Sequence, residues 1–218
     1  VTFADLPMLL LQFVILLPGL VLHEVAHGWM AYRLGDPTAK LMGRLTLDPR
    51  KHIDPWGTIA MPLLLLFISG GKFAFGYAKP VPFNPRYFKD YKTGMLLTGI
   101  AGPAANLVLA ILGAGLFRAL FLLADLVAVP DIVLQMAYLF VYMNLFLMFF
   151  NLIPIPPMDG SRVVQRFLSG QAAVFYRNLE QYGFIIIIVL LYFGRGLLDS
   201  YLSVTLDPVV AFLTGVGF

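Results

Sequence analysis

Two of the three histidines and one of the two glutamates in this chain fall within five consecutive residues, His23-Glu24-Val25-Ala26-His27. On a helix, residues i and i+4 share a face, so His23 and His27 present two imidazoles to one point. Glu24 lies about 100° round the same helix, within reach of a water held there. Two imidazoles and a neighbouring carboxylate suit a divalent metal, and a catalytic centre of this kind needs three protein ligands and one open position. The candidates for the third ligand are Asp159, His52, Asp48, Asp54 and Glu180. Asp159 is preferred because it sits in a proline-broken apolar stretch directly after a long apolar segment, where an unpaired carboxylate is costly. His52 lies in the polar loop DPRKHIDP and reads as a solvated or loop-bracing residue.

The elements that must carry these residues are apolar. Of 218 residues, 60% are hydrophobic and 12% charged, against about 45–50% and about 25% in a soluble domain. Mean hydropathy is +0.84. This balance excludes a soluble globular enzyme, a disordered chain and a nucleic-acid-binding domain. The expected fold is an all-α polytopic membrane protein, with about five to six membrane helices and a re-entrant or extended hairpin. Such a count consumes nearly the whole length, so residues 1–218 read as one integral membrane domain. Cysteine is absent, which excludes disulfides and thiol chemistry. Ionisable groups inside a hydrocarbon span cost several kcal/mol and mark function by default, which strengthens the metal reading of His23, Glu24 and His27.

Long apolar segments recur at 7–32, 94–124, 131–152 and 182–193, with a weaker one at 200–216. The first follows Asp5, not a basic region, and runs into HExxH without a small-residue cleavage site, so it reads as a retained helix. Segment 57–69 is short for a span, contains Pro62 and is closed by Gly70-Gly71, which predicts a re-entrant element. Residues 71–92 carry Pro80, Pro82 and Pro85 and predict extended chain followed by a basic interfacial loop. All but two of the 15 cations lie in 33–51, 72–92 and 162–177. The positive-inside rule puts these three regions on the cytoplasmic side. That arrangement requires 57–92 to dip into the bilayer and return. It also brings Asp159 to the depth of His23, nearer the cytoplasmic face, with 7–32 running inward, 94–124 outward and 131–152 inward. Trp29, Trp56, Tyr87 and Tyr91 fit interfacial belts. Gly102-Pro103 and Asn106 read as small-residue packing between spans before any direct catalytic role.

HEVAHGW at 23–29, AGPAANL at 101–107 and NLIPIPPMDG at 151–160 together resemble the site-2 protease family of intramembrane zinc metalloproteases. LTLDPRKHIDPWGT at 45–58 and GYAKPVPFN at 76–84 resemble its compact prokaryotic members, and no stretch resembles their PDZ or CBS modules. The resemblance implies His23, His27 and Asp159 as Zn2+ ligands and Glu24 as general base and acid. It also implies that Asn151 binds a substrate carbonyl or the oxyanion. The implied activity is cleavage of transmembrane segments within or at the edge of the bilayer of the cell membrane.

The implied partners are the lipid bilayer and a transmembrane protein substrate with a locally unwound helix. The extended 71–84 segment is expected to offer a strand edge to that substrate, and the spans after residue 176 are expected to move. The alternatives are a metal transporter and a non-proteolytic scaffold. A transporter needs ligands spread along a pathway, and these spans are otherwise almost free of ionisable groups.

Overall fold

A computed structural model of the chain describes residues 6–68 and 76–216. The regular elements among these residues are helices: α1 (Leu6–Arg33), α2 (Thr38–Leu41), α3 (Met61–Ile68), α4 (Tyr91–Leu123), α5 (Asp131–Asn151), α6 (Gly160–Phe167), α7 (Gly170–Leu179), α8 (Gly183–Tyr192) and α9 (Arg195–Thr214). Four are long and apolar enough to cross a membrane: α1, α4, α5 and α9. A fifth span arises only if α7 and α8 count as one, and they are bent by 79°. The count therefore falls at or below the lower end of the sequence expectation. Segment 182–193 resolves into α8, whose 10 residues reach about 15 Å, half a hydrocarbon core.

Where these helices start and stop follows from local chemistry. The carboxylate of Asp90 caps α4, accepting from Lys92 N and from the Thr93 hydroxyl, and that hydroxyl holds its carboxyl below the ordinary range. Pro130 precedes α5, and Pro154, Pro156 and Pro157 prevent it from continuing beyond Asn151. Pro18 and Pro103 lie inside α1 and α4, a placement that neighbouring helices make tolerable in lipid.

The bundle is centred on α4, which packs along both α5 and α1. Lipid tails are as apolar as leucine, so helices in a bilayer associate through close fit and buried polar bonds, not through escape from water. Ala110 and Ala114 of α4, Val141, Leu145 and Met148 of α5, and Leu206 and Val210 of α9 form the main buried cluster. Gly113 leaves room for the ring of Phe140, which a Cβ at that glycine would meet at 2.7 Å. Leu206 and Val210 are fully buried, and Tyr201 Oη donates to Phe149 O at 3.1 Å. α9 is thus part of the core. It packs against both α4 and α5.

The re-entrant segment has the expected form. The chain passes through a π-helical turn at Pro55–Ala60, capped by Asp54, and then α3. It comes back beside its own entry point: Tyr77 N donates to Gly57 O at 3.0 Å, and the Thr58 hydroxyl donates to Tyr77 O at 2.8 Å. The Gly70-Gly71 closure expected from sequence lies outside the described residues. From Gly76 to Asn84 the chain is extended and is anchored at several points. Lys79 N donates to His52 O at 2.8 Å, Arg44 Nη2 donates to Lys79 O at 2.8 Å, and Asn84 N donates to the fully buried Asp36 carboxylate at 2.5 Å. Successive residues of an extended chain point their amides to opposite sides. The 77, 79 and 81 amides are all engaged by the protein, and Pro80 and Pro82 have no N–H. A regular ladder of donors cannot form over 80–82, which limits the strand edge expected over 71–84 among the described residues.

The three basic regions gather at one end of the bundle. Asp36 ties the 33–51 region to Asn84, and Lys92 Nζ donates to Leu168 O at 3.0 Å, joining the start of α4 to the chain after α6. Trp29 and Trp56 are exposed nearby, and the Arg33 guanidinium lies 5.3 Å from the Trp29 ring centre, as anchors at a membrane surface do. The chain has no native cysteine, so single cysteines at the exposed positions Lys40, Lys89 and Arg177 report sidedness cleanly. All three should react with a membrane-impermeant maleimide from the same face of sealed vesicles. Labelling of Lys89→Cys from the opposite face would mean that 57–92 crosses.

Candidate metal centre

The site is built from one helix face and one helix end. His23 and His27, a turn apart on α1, bring their Nε2 atoms to 3.0 Å with the rings edge to face. Asp159 arrives from the other side. Beyond α5 the chain turns sharply through Pro154, Pro156 and Pro157, with a cis bond between the last two, and delivers Asp159 just ahead of α6. Gly160 permits this turn, since a Cβ there would overlap the Leu152 carbonyl group and lie 2.6 Å from Ile153 O. Asp159 Oδ2 sits 3.1 Å from His23 Nε2 and 3.0 Å from His27 Nε2, while Oδ1 pairs with Arg162 Nη1 at 3.0 Å. All three side chains are buried.

The hydrogen bonds on the far side of each ring decide what these atoms are. His27 Nδ1 faces the Thr98 carbonyl at 2.6 Å, and a carbonyl only accepts, so Nδ1 carries the hydrogen. His23 Nδ1 faces Asn106 Oδ1 at 2.6 Å. The Asn106 amide cannot be reversed, because its nitrogen faces the Gly19 carbonyl at 3.2 Å. His23 Nδ1 therefore also carries its hydrogen. With both imidazoles neutral, as metal ligands must be, their Nε2 lone pairs aim at one another and at a carboxylate oxygen. Three acceptors within 3.1 Å of each other, in a buried site, repel unless a proton or a metal ion lies among them. Tetrahedral zinc, with bonds of about 2.0–2.1 Å, keeps its ligand atoms about 3.3 Å apart, close to this triangle. The donor set fits a metal.

Glu24 stands beside the triangle and outside it. Its Oε2 accepts from Val81 N at 2.8 Å, which fixes the carboxylate against the returning chain. Glu24, the two histidines, Asp159 and Asn151 line one cavity of about 140 Å³. Asn151 spends one amide hydrogen on Leu147 O at 2.9 Å and has a second to offer.

The other third-ligand candidates are elsewhere. His52 is buried and donates Nε2–H to Thr46 O at 2.8 Å, bracing its loop. Asp48 and Asp54 cap short helical turns. Glu180 Oε1 accepts from Gln165 at 2.8 Å. Asn106, read as packing, is the direct partner of His23. It does not line the cavity, so it touches His23 from behind. Val81, Thr98 and Arg162 escaped notice because a backbone group or a loop cation carries no signal of proximity in sequence. Asn106 and Asn144 did carry one, as uncharged amides inside apolar spans.

Comparison with known proteins bears on this geometry. Residues 120–193 match the family model described as Peptidase family M50. "Putative zinc metalloprotease YwhC" of Bacillus subtilis is 38% identical over 188 residues, covering 84% of this chain and 82% of that protein. The chain belongs to peptidase family M50, the site-2 proteases. Among further relatives, "Putative zinc metalloprotease Rip2" of Mycolicibacterium smegmatis is 32% identical over 175 residues, covering 80% of this chain and 64% of that protein. Rip2 of Mycobacterium tuberculosis H37Rv is 30% identical over 174 residues, covering 80% and 63%. No solved structure matches the chain. The resemblance stated on sequence motifs is thus confirmed at the level of the family.

One glycine makes the M50 site possible in this chain. A Cβ on Gly102 of α4 would strike His27 Nε2 and approach His23 Cε1 within 2.6 Å. Gly102→Ala should leave the protein folded, because the collision is with side-chain tips, but lower its affinity for divalent metal by at least about tenfold. Metal analysis after equilibrium dialysis checks this; wild-type occupancy in the variant would show that the imidazoles do not occupy the placement described.

Proposed function

We propose that this chain is a zinc-dependent endopeptidase, a single integral membrane domain over residues 1–218. It cleaves transmembrane segments of membrane proteins within or at the edge of the cell membrane. The observation that carries this reading is the convergence of three buried acceptors beside a glutamate that is not one of them. His23, His27 and Asp159 would hold the zinc. When bound, it supplies a Lewis acid and brings the pKa of water to about 7.

The chain's own residues account for the remaining steps. Glu24 is the general base: it takes the proton from the attacking water and passes it to the leaving amine. The Val81 N–H holds one of its oxygens, leaving the other for the proton. Asn151 offers its second amide hydrogen to the substrate carbonyl as negative charge develops, a contribution of about 3 kcal/mol for donors of this kind. Arg162 keeps Asp159 Oδ1 occupied, so that Oδ2 alone faces the imidazoles.

A helix about 10 Å across cannot enter a cavity of about 140 Å³. Its peptide bonds are also hidden in their own hydrogen bonds, so the substrate must unwind locally before cleavage. The cation-rich end of the bundle supports an orientation with the site nearer the cytoplasmic face. A transporter reading finds no support in the described spans, because the acceptors converge on one point and do not continue along a path.

Glu24→Gln should lower cleavage of a model transmembrane substrate in detergent by about 10²- to 10⁴-fold while the purified protein still binds zinc. Retained proteolysis in that variant sinks the enzyme assignment, and zinc flux into liposomes would favour transport. His52→Ala should stay within a few-fold of wild type, since that ring lies outside the cavity.

A further inference from the structure

Behind His23 runs a chain of buried amides that crosses three helices. His23 Nδ1–H donates to Asn106 Oδ1, and Asn106 Nδ2 donates to Asn144 Oδ1 at 3.1 Å. Asn144 Nδ2 donates to the backbone carbonyl of Phe140 at 2.8 Å, a turn earlier in α5. Because Phe140 O only accepts, the Asn144 amide is fixed with its oxygen toward Asn106. Each donor therefore points away from the imidazole, and the bonds polarise one another in the same sense. Asn106 and Asn144 are 0% and 1% exposed.

The backbone makes room for this chain. Gly19, on α1 one turn before His23, lies against the Asn144 amide, and a Cβ there would meet Asn144 Oδ1 at 2.7 Å. Without Asn144, the Asn106 nitrogen keeps only the Gly19 carbonyl at 3.2 Å, which ties α4 to α1 but not to α5. It is α5 whose C-terminal end leads into the turn that delivers Asp159. Asn144 thus joins the helix that carries two of the acceptors to the helix that delivers the third.

We propose that Asn144 is a positioning residue for His23: through Asn106 it holds the Nδ1 hydrogen in place and keeps the Nε2 lone pair aimed at the metal. The proposal rests on the metal reading given above. A residue that merely fastens helices together would change the stability of the metal-free protein and leave the metal's own properties alone. A positioning residue changes metal affinity and ligand field, as outer-shell partners of metal-bound histidines do, by about 10- to 100-fold in affinity.

The test uses the full chain in detergent, stripped of metal and titrated with Co²⁺ against a competing chelator, with the visible spectrum recorded. Asn144→Leu should bind Co²⁺ about tenfold more weakly and shift the d–d bands, with the metal-free thermal midpoint close to wild type. Asn144→Asp, in its protonated form, can accept from Asn106 and donate to Phe140 O, and should restore affinity to within about threefold. Gly19→Ala should weaken Co²⁺ binding in the wild-type background but not in Asn144→Ala, where the collision is gone.

Unchanged affinity and spectrum in a folded Asn144→Leu overturn the proposal while the metal reading stands. Equal losses from Gly19→Ala in both backgrounds do the same, and that pair decides the matter if Asn144→Leu does not fold. A wild-type protein that binds Co²⁺ no better than His23→Ala overturns the metal reading and this proposal with it.

Discussion

Two imidazole lone pairs and a carboxylate oxygen meet within about 3 Å of one another at a buried point among helices that lipid surrounds. In water such a cluster would be screened or protonated. Among apolar helices the carboxylate and the two lone pairs call for positive charge between them, which a divalent metal supplies. Much of the rest of the molecule can be read as the means of assembling that point. α1 supplies two acceptors at helical spacing, and the proline turn after α5 supplies the third. α4 lies between them with a glycine where any side chain would displace the rings.

The same constraint explains the polar atoms away from the metal point. A histidine that must present one nitrogen as an acceptor has to place the hydrogen of the other, and here each hydrogen is placed on α4. Asn106 takes that of His23 and the Thr98 carbonyl that of His27. Amides in lipid need partners of their own, so Asn106 leads on to Gly19 and Asn144, and Asn144 to its own helix. The network behind the site is therefore closed, with each amide oriented by a carbonyl that can only accept.

The re-entrant segment answers a different need. A carboxylate that is to act as a base cannot also be a ligand, so it must be held away from the metal point by something else. The extended chain at 76–84 does this through Val81 N, and it is itself fastened by His52 O, Arg44 and Asp36. The basic loop that reads in sequence as an orientation signal is thus also a clamp on Glu24. Proline at 80 and 82 completes the design by leaving this stretch poor in donors, which discourages pairing with stray strands.

Much of this was legible in the amino-acid order alone. HExxH needs only helical spacing to bring two imidazoles together, and the cost of a carboxylate in an apolar stretch singled out Asp159 over His52, Asp48, Asp54 and Glu180. Hydropathy and the clustering of cations were enough for a helical membrane protein with a returning hairpin, because the bilayer penalises any other arrangement. What only the tertiary structure decided lies wherever the partner is far along the chain or is a backbone group. His23 and Asn106 are 83 residues apart, and Glu24 and the Val81 amide 57. Nor did local pattern show that α8 is too short to span or that α9 belongs to the core. Helix spacing and transfer cost are properties of a residue and its near neighbours, whereas tautomer, clearance and core membership are settled only when separate helices pack.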